Sequence, residues 1–469
     1  MGRLAEMIAA TAGGLSRATG RGGGTSLPGM VLNRLEPGAL ARLGGGLGGG
    51  AVCISATNGK TTTARLLSAC LRAAGRDVAA NAAGANLASG VTAALLARQR
   101  RRRAARDSTG CGGIGVFEVD EAALGQIADA LGPRAVVLMN LFRDQLDRYG
   151  ELEAIAARWA EVARSLGPAT TMVLNADDPA LAHLGTLRTA ETDNVVLFGI
   201  DDPAVGRPEL PHAADAVRCG GCGGPLSHDL ITVGHLGHWR CDGCGVRRPQ
   251  PHISARRVRL AGLDRLDLGV NGPGGAELEL SAALGGLHNA YNVTAAVAAA
   301  TALGVPAEAI GNGIGEVRAA FGRAEQVSLD GRRLRLLLAK NPTGANENIR
   351  CLMAEPAPLN LLVVLNDRTA DGRDPSWIWD VDYEPLWDRL GSVTLAGDRC
   401  WDLALRFSYG GLGPARFAVR ESLADALDSA VAATPPGGAL YALPTYTALL
   451  ELRAELVRRG AAHDFWQES

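Results

Sequence analysis

Short apolar runs alternate with longer amphipathic stretches from residue 51 onwards. The first set of apolar runs, each bounded by turn-forming or polar residues, occupies residues 51–56, 114–119, 135–140, 171–175 and 195–199. Continuous short runs of this kind are typical of strands buried on both faces of a parallel sheet. Helical patterning fills stretches between them, including residues 61–74 and 152–166. The pattern therefore predicts an open parallel sheet built from strand–helix–strand units.

The alternation is interrupted in the middle of the chain and then resumes. Residues 211–251 are rich in Cys, Gly and His, as expected of an insertion, whereas residues 258–280 alternate apolar and polar positions, which predicts antiparallel strands. An Ala-rich helix is predicted at residues 287–303. A second set of predicted strands occupies residues 334–338, 361–365, 392–396, 416–419 and 439–443. Helices are predicted between these strands, at residues 346–355 and 423–434, and after the last one, at residues 446–460.

These patterns predict an α/β protein in three parts. An N-terminal segment covers residues 1–46, and a central domain covers residues 47–322 with an insertion at about residues 212–252. Residues 323–469 are predicted to form a Rossmann-like α/β C-terminal domain. The length of 469 residues suits two to three domains.

Composition and charge narrow the functional classes. The chain is 47% hydrophobic, and its 47 basic and 49 acidic residues leave a net charge of -2. This balance argues against nucleic acid as a partner. No apolar run approaches the ~18 residues that a membrane span needs. Residues 1–24 lack the unbroken apolar core of a secretory signal, so the sequence predicts a cytoplasmic protein.

Lysine is rare, because only Lys60 and Lys340 are lysine among the basic residues. Arginine cannot replace lysine where a compact point charge is needed, so both positions merit inspection. Lys60 lies in the segment Ala-Thr-Asn-Gly-Lys-Thr-Thr at residues 56–62, between a predicted strand and a predicted helix. In that setting backbone N–H groups cradle phosphates, Lys60 reaches the β- and γ-phosphates, and Thr61 can bind Mg²⁺. The residues predicted to bind ATP here are Thr57, Asn58, Gly59, Lys60, Thr61 and Thr62.

This loop resembles the phosphate loop of the Mur ligases. The first glycine of the usual P-loop is missing, since Ile54 and Ser55 stand where it is expected. Many Mur ligases also carry a carbamylated lysine beside a second Mg²⁺. No lysine lies between Lys60 and Lys340, so that arrangement is excluded here.

Further motifs extend the resemblance, in order, over residues 51–325. The matching positions are Asn81, Glu118, Asn140, Asp144, Asp147, Asn289, Asn292 and Arg323. Gln145 stands where the family has a histidine. The resemblance implies a Mur ligase central ATP-binding domain in which Glu118 and Thr61 hold Mg²⁺. It also implies that Asn289, Asn292 and Arg323 contact the nucleotide.

Four of the nine cysteines form two Cys-x-x-Cys pairs. They are Cys219, Cys222, Cys241 and Cys244, and eighteen residues separate the pairs. This spacing predicts a zinc ribbon, in which four thiolates surround Zn²⁺. A closed four-cysteine shell has no open coordination position, so we expect a structural metal. A redox dithiol is the alternative reading.

The C-terminal part resembles the MurT family, the Mur-ligase-like subunits of lipid II isoglutaminyl synthase. The resemblance is carried by residues 340–347, 366–380 and 444–448, by the inserted zinc ribbon, and by Ser-Leu-Pro-Gly at residues 26–29. It implies that ATP phosphorylates the α-carboxylate of D-glutamate in the stem peptide of lipid II. Ammonia from a GatD-like glutaminase partner then displaces phosphate and gives D-isoglutamine, at the inner face of the membrane.

The same resemblance implies that one aspartate of the C-terminal domain completes the Cys–His pair of the partner. Asp371, Asp374 and Asp380 are the candidates, and Asp374 is favoured slightly. Such an aspartate would orient and charge-stabilise the partner's histidine. Trp377 and Trp379 lie in the same polar segment, where they indicate either a partner surface or core anchors.

Two alternative functions and the role of one basic run remain open from the sequence. The chain could be a Mur or folylpolyglutamate-type ligase that adds an amino acid, or a nucleotide-binding scaffold that only docks a glutaminase. The basic run at residues 98–106 could be a solvated helix end, or it could contact anionic lipid head groups or the substrate pyrophosphate.

Overall fold

The computed structural model describes residues 2–18, 26–82, 84–104, 113–144, 152–188, 194–272, 277–318 and 323–462. Its helices are α1 (Gly2–Ala18), α2 (Leu27–Leu35), α3 (Ala39–Gly44), α4 (Lys60–Ala73), α5 (Ala88–Ala104), α6 (Leu124–Leu131), α7 (Leu152–Ser165), α8 (Pro179–Thr186), α9 (Leu287–Ala302), α10 (Ala307–Glu316), α11 (Pro342–Met353), α12 (Cys400–Tyr409), α13 (Leu423–Ala433) and α14 (Tyr446–Arg458). None of the described helices is both long enough and apolar enough to cross a bilayer.

The strands form three sheets. They are β1 (Ala51–Ser55), β2 (Val78–Ala80), β3 (Ile114–Glu118), β4 (Ala135–Leu138), β5 (Thr171–Asn175), β6 (Val195–Ile200), β7 (Leu226–Ile231), β8 (Gly237–Cys241), β9 (Ile253–Ala261), β10 (Arg265–Asn271), β11 (Glu277–Ala282), β12 (Arg323–Leu329), β13 (Arg332–Leu337), β14 (Leu359–Val364), β15 (Leu390–Ala396), β16 (Ala418–Arg420) and β17 (Ala439–Pro444). The strands predicted from apolar runs are confirmed to within a few residues.

The first sheet has nine strands in the order β11-β10-β9-β6-β5-β4-β1-β3-β2. The pairs from β2 to β9 are parallel, whereas β10 runs antiparallel to both of its neighbours, β9 and β11, as the alternating pattern predicted. Every residue of β1, β3 and β4 is buried, which explains their unbroken apolar runs. Since parallel strands end at the same edge, the loops after β1, β3, β4 and β5 meet there.

The second sheet has six strands in the order β12-β13-β17-β14-β15-β16. Only β12 runs antiparallel, at one edge. Apolar clusters cover both faces of this sheet: Leu361 and Leu395 pack on one side, and Leu362 and Leu440 on the other. The sheet is therefore a doubly covered, mostly parallel layer, in agreement with the predicted α/β fold class.

The third sheet pairs β7 with β8 in the segment predicted as an insertion. Trp239 of β8 is buried, and its indole N–H donates to the carbonyl of Ala176 over 3.1 Å. Arg248 lies 2.6 Å from the buried carboxylate of Asp177, which also accepts a 2.6 Å bond from the Tyr291 hydroxyl on α9. These contacts fasten the insertion to the loop after β5 and to helix α9.

Helix α11, which belongs to the C-terminal domain, contacts the central domain beside a cleft. The Arg350 guanidinium donates to the carbonyls of Thr232 and Val205 over 2.9 and 2.6 Å. Glu347, one turn earlier, pairs with Arg207 at 3.1 Å. The carboxyl edges of both parallel sheets therefore border the same space.

The basic run predicted at residues 98–106 belongs to the end of α5 as far as residue 104; residues 105 and 106 lie outside the described residues. Arg98 pairs at 2.7 Å with Asp77, which immediately precedes β2, and Arg103 pairs at 2.6 Å with Glu6 of α1. The run thus lies at the amino end of β2, opposite the carboxyl edge. This position favours the prediction that the run is a solvated helix end over the alternative that it contacts a substrate bound at the carboxyl edge.

Candidate active site and metal centre

The phosphate loop joins β1 to α4 and is held by its neighbours. Gly59 has φ 94°, and a Cβ there would lie 2.1 Å from Oδ1 of Asn292, so only glycine fits. The Asn58 N–H donates to Oδ1 of Asn140, and the Asn140 amide returns a bond to the Asn58 carbonyl, both over 2.9 Å. The first turn of α4 therefore presents its N–H groups from a fixed position, which suits an anion.

Lys60 is buried within this loop. Its ammonium lies 2.9 Å from Oε1 of Glu121 and donates to the carbonyl of Ala56. Burial by itself lowers the pKa of Lys60, but the carboxylates of Glu121 and Glu118 outweigh it and raise the pKa overall. The side chain is therefore a permanent cation. Glu121 was missed in the sequence, although it stands three residues after Glu118.

Thr61 and Glu118 lie together at the other side of the loop. The Thr61 hydroxyl donates to Oε2 of Glu118 over 2.8 Å. Asn81 fixes the end of β3, because its amide exchanges bonds of 2.8 and 2.9 Å with the backbone of Glu118. One hydroxyl and one carboxylate at the end of a phosphate loop form an oxygen donor set that suits a hard divalent cation.

A cleft of about 1060 Å³, including the part open to solvent, extends from the phosphate loop between α9 and α11. Asn58, Gly59 and Thr62 line one end. Asn289 and Asn292 of α9 line it as well, and the Asn292 amide donates to Oδ1 of Asn289 over 2.8 Å. The structure thus brings both predicted asparagines to the loop.

Two residues predicted to contact the nucleotide, Thr57 and Arg323, do not have a side chain that the structure places in the cleft. The hydroxyl of Thr57 is buried and exchanges bonds of 3.1 and 2.9 Å with the backbone of Phe142, so this side chain shapes the loop and does not line the cleft. The side chain of Arg323 lies outside the described residues, although its backbone begins β12. Asp147 and Gln145 also lie outside them.

The second lysine of the chain reaches the same loop from the second sheet. The Lys340 ammonium pairs with Asp144 and lies 3.5 Å from the carbonyl of Thr57. Next to it, the amides of Asn341 and Asn58 bond to each other over 3.1 and 3.3 Å. Neither Lys340 nor Asn341 was assigned a role from the sequence, but the rarity of lysine pointed to the first.

The three aspartates of residues 371–380 have different surroundings. Asp371 is buried and accepts from the Thr447 N–H over 2.7 Å at the start of α14. Asp374 is exposed and accepts from the Ser376 N–H over 2.9 Å. Asp380 is half-buried and pairs at 3.1 Å with Arg143 of the central domain. Of the three, Asp374 is the most open to a second molecule.

Large apolar side chains are exposed close to this segment. Trp379 contacts Tyr409 edge to face, with ring centroids 5.8 Å apart, and both rings face solvent. Trp401 and Leu405 precede Tyr409 on α12 at four-residue spacing and are likewise exposed. They share one face of the helix. Trp377, in contrast, packs against the core. Of the two alternatives predicted for these tryptophans, the core anchor therefore applies to Trp377 and the partner surface to Trp379.

The four predicted cysteines converge at the base of β7 and β8. Their sulfur atoms all lie within 4.8 Å of one another, with Cys219 and Cys244 3.8 Å apart and Cys222 and Cys241 3.4 Å apart. A tetrahedral shell with metal–sulfur bonds of about 2.3 Å has edges of about 3.8 Å, so the group can hold a metal ion. Backbone N–H groups of Gly224 and Gly243 point at the sulfurs over 3.4 and 3.3 Å and stabilise thiolates.

Comparison with known proteins matches both halves of the chain. The Mur ligase middle domain matches residues 54–217, and the MurT ligase C-terminal domain matches residues 338–449. The chain is 33% identical to subunit MurT of the glutamine-hydrolysing lipid II isoglutaminyl synthase of Streptococcus pneumoniae, over 93% of either chain. It is 30% identical to the same subunit of Staphylococcus aureus, over 94% of this chain and 95% of the relative.

Solved structures share the fold. A pseudomurein peptide ligase type C from Methanothermus fervidus superposes with a TM-score of 0.64 at 21% identity, covering 88% of this chain and 79% of that chain. MurF from Acinetobacter baumannii gives a TM-score of 0.65 at 17% identity, covering 92% and 81%. The predicted Mur ligase fold is therefore confirmed.

Proposed function

Since the chain belongs to the MurT family and is an ATP-dependent carbon–nitrogen ligase, we propose that it amidates the D-glutamate α-carboxylate of the lipid II stem peptide. The product is D-isoglutamine, and the nitrogen comes from a GatD-like glutaminase with which the chain forms a heterodimer. The observation that carries the proposal is a phosphate loop that keeps Lys60 and Thr61, facing a C-terminal domain in which Asp374 is the exposed one of three candidate aspartates.

In the first step an oxygen of the substrate carboxylate attacks the γ-phosphorus of ATP, and ADP leaves. The α4 N-terminus and Lys60 hold the phosphates, and Lys60 can neutralise the negative charge that develops there. Thr61 and Glu118 would hold Mg²⁺ through their side-chain oxygens, and the ion would offset the charge of the transferred group. The product of this step is an acyl phosphate.

In the second step ammonia attacks the carbonyl carbon of the acyl phosphate, and inorganic phosphate leaves. The partner would release that ammonia from glutamine. Asp374 is the best placed of the three aspartates to orient a histidine on another chain, because Asp371 caps α14 and Asp380 pairs with Arg143. The exposed face formed by Trp379, Trp401, Leu405 and Tyr409 supports a protein partner beside it.

The lipid-linked substrate would bring the chain into peripheral contact with the inner face of the cytoplasmic membrane. The near-neutral charge does not favour nucleic acid as a partner. The four cysteines would hold one structural Zn²⁺, because sulfur fills all four positions and leaves none open for a reacting group. Zinc chemistry would therefore stay outside the reaction.

The test is reconstitution with lipid II, ATP and Mg²⁺. The chain alone should amidate lipid II with ammonium chloride, and with glutamine only after a GatD-like subunit is added. Mass spectrometry of the stem peptide and release of ADP are the readouts. Amidation from glutamine by the chain alone would contradict the division of labour. Ligation of a free amino acid in place of ammonia would instead indicate a Mur or folylpolyglutamate-type ligase.

A further inference from the structure

The part of the cleft away from the phosphate loop, called the slot below, is a candidate site for the nucleotide base. Away from the loop its walls are mainly apolar and come from both domains: Val233, Leu236, Leu284, Leu337, Leu338 and Cys351. Aliphatic walls of this kind bind an aromatic base without specifying which base it is. Specificity must therefore come from the few polar groups that face the slot.

Glu347 of α11 is the unusual polar group in this wall. The residue is only 3% exposed. Its Oε1 accepts from Arg207 over 3.1 Å, whereas Oε2 has no hydrogen-bond partner among the described residues. Burial raises the pKa of Glu347, against the lowering effect of Arg350 and Arg207, so the carboxylate lacks solvation. A buried acceptor without a partner is costly and calls for a donor from a ligand.

We infer that Glu347 selects the nucleotide base, by accepting a hydrogen bond from the exocyclic 6-amino group of adenine at Oε2. The inference rests on the proposed function, which places ATP in this cleft, and it adds the residue that distinguishes adenine from 6-oxopurines. Glu347 is a specificity residue that touches the base; it does not touch the reacting phosphate.

The physical argument depends on the pairing of the other oxygen. Because Arg207 occupies Oε1, one acceptor remains for the base. Adenine offers an N–H donor at position 6. Hypoxanthine and guanine offer a carbonyl oxygen there, which would face Oε2 as one acceptor against another. Sites built to bond one polar group reject analogues that cannot form the bond, because the buried partner is then left unsatisfied.

Glu347→Gln provides a sharp test because Arg207 has only donors. The glutamine amide must turn its oxygen towards Arg207, so its NH₂ group faces the slot. The substitution therefore exchanges an acceptor for a donor without changing the size of the side chain. We expect affinity for ADP to fall by about tenfold to 100-fold and affinity for IDP, which carries a 6-oxo group, to rise or hold.

Isothermal titration calorimetry of the full chain with ADP and IDP, each with Mg²⁺, measures both affinities without a lipid substrate or a partner. Glu355→Gln is the matched control, since Glu355 follows α11, lies outside the cleft and accepts from the Tyr441 hydroxyl. It should keep the wild-type preference. Thermal melting of each variant shows that the fold is intact.

The outcomes separate the inference from the proposed function. If the wild type binds neither ADP nor ATP, the proposed function fails. If the wild type prefers ADP and Glu347→Gln keeps the same ADP-to-IDP ratio, the proposed function stands and the role of Glu347 is wrong. If Glu347→Gln fails to fold, Arg207→Ala gives a second test: freeing Oε1 lets the carboxylate turn, so the ratio should fall while Glu347 remains. An unchanged ratio in Arg207→Ala would also overturn the inference.

Discussion

The phosphate loop and the acidic segment at residues 371–380 both follow a parallel strand, yet their polar groups are used in opposite ways. In the phosphate loop Asn58, Lys60 and Thr61 all bond to groups of the same chain. In the acidic segment Asp371 and Asp380 bond to distant parts of the chain, whereas Asp374 accepts from the N–H of Ser376, two residues on, and faces solvent. The polar groups of the first loop are paired within the chain, whereas the second leaves one carboxylate open to solvent, as the proposed contact with a partner requires.

The difference fits the proposed division of the reaction between this chain and a glutaminase. Phosphoryl transfer needs fixed charges in a closed setting, because electrostatic stabilisation is strongest where the groups need not reorganise. A triad residue supplied to a partner must be accessible and held only lightly. The following changes test this comparison, in order of expected effect.

Asp374→Asn should remove glutamine-dependent amidation by up to about 10⁴-fold, since loss of an orienting carboxylate has that effect in a serine-type triad. A cysteine nucleophile depends less on its base, so the loss could be smaller. Amidation with ammonium chloride should be unchanged, because no acyl-phosphate group is touched. Both rates are measured with the partner present.

Asp380→Asn is the matched comparison, and it should retain more glutamine-dependent activity than Asp374→Asn. If all three of Asp371→Asn, Asp374→Asn and Asp380→Asn keep full glutamine-dependent rates, the chain does not complete the partner's triad.

Lys60→Ala should lower ATP turnover by at least about 10²- to 10³-fold with either nitrogen source, because it removes a cation from the transferred phosphate. Burial adds an effect that the sequence did not show: Glu121 loses its partner, and breaking a buried pair costs about 3–5 kcal/mol. The melting temperature should therefore fall. The double variant Lys60→Ala with Glu121→Ala removes the stranded carboxylate and should melt higher while staying inactive. Wild-type turnover in Lys60→Ala would refute the assignment of the loop.

Removal of the metal from the four-cysteine site should destabilise the insertion first. Metal analysis should find one zinc ion per chain, and Cys241→Ser should abolish it. A loss of about 2 kcal/mol lowers the melting temperature of a domain of this size by about 4–8 °C. Affinity for ADP should fall as well, because the insertion is bonded to Tyr291 on α9. The control variant Cys400→Ser, whose changed residue lies outside the four-cysteine site, should still bind one zinc ion. Native protein that contains no zinc would exclude the site.

Asp371→Ala should have the smallest effect, and mainly on stability. It deletes the carboxylate that accepts from the Thr447 N–H in the first turn of α14, a loss of about 1 kcal/mol that lowers the melting temperature by about 2–4 °C. Glutamine-dependent activity should fall far less than in Asp374→Asn. If Asp371→Ala lost more glutamine-dependent activity than Asp374→Asn, Asp371 would be the aspartate that completes the partner's triad.

Local patterns were sufficient for most strands of the two large sheets and for the convergence of the four cysteines, whereas Glu118 was assigned to Mg²⁺ through the family resemblance. Strands β1 and β3 are buried along their whole length, so each appears in the sequence as an unbroken apolar run. Both Cys-x-x-Cys pairs lie within a short stretch of chain, so their spacing alone predicted that the four sulfurs meet. Strand β2, with three residues, is too short to carry a periodic signal, and β12 falls where a domain boundary was expected.

Contacts between distant residues could not be read from the sequence. Lys340 meets Asp144 across 196 positions, and Asn341 meets Asn58 across 283. The sequence favoured Asp374 only slightly over Asp371 and Asp380, since all three lie in one polar segment and only the surrounding fold decides which becomes a helix cap or an ion pair. Glu347 was invisible for the same reason, because its missing partner is defined only by its burial.

The scarcity of lysine has a practical consequence for chemical labelling. Lys340 lines the cleft and Lys60 is buried in the phosphate loop at its end, so a nucleotide that carries an amine-reactive acyl phosphate has only two side-chain amines to acylate. The raised pKa of Lys60 keeps that amine protonated and unreactive, whereas Lys340 retains 29% of its side-chain surface exposed. A single modified peptide containing Lys340 would therefore report nucleotide occupancy in a whole-cell lysate, with no lipid substrate required.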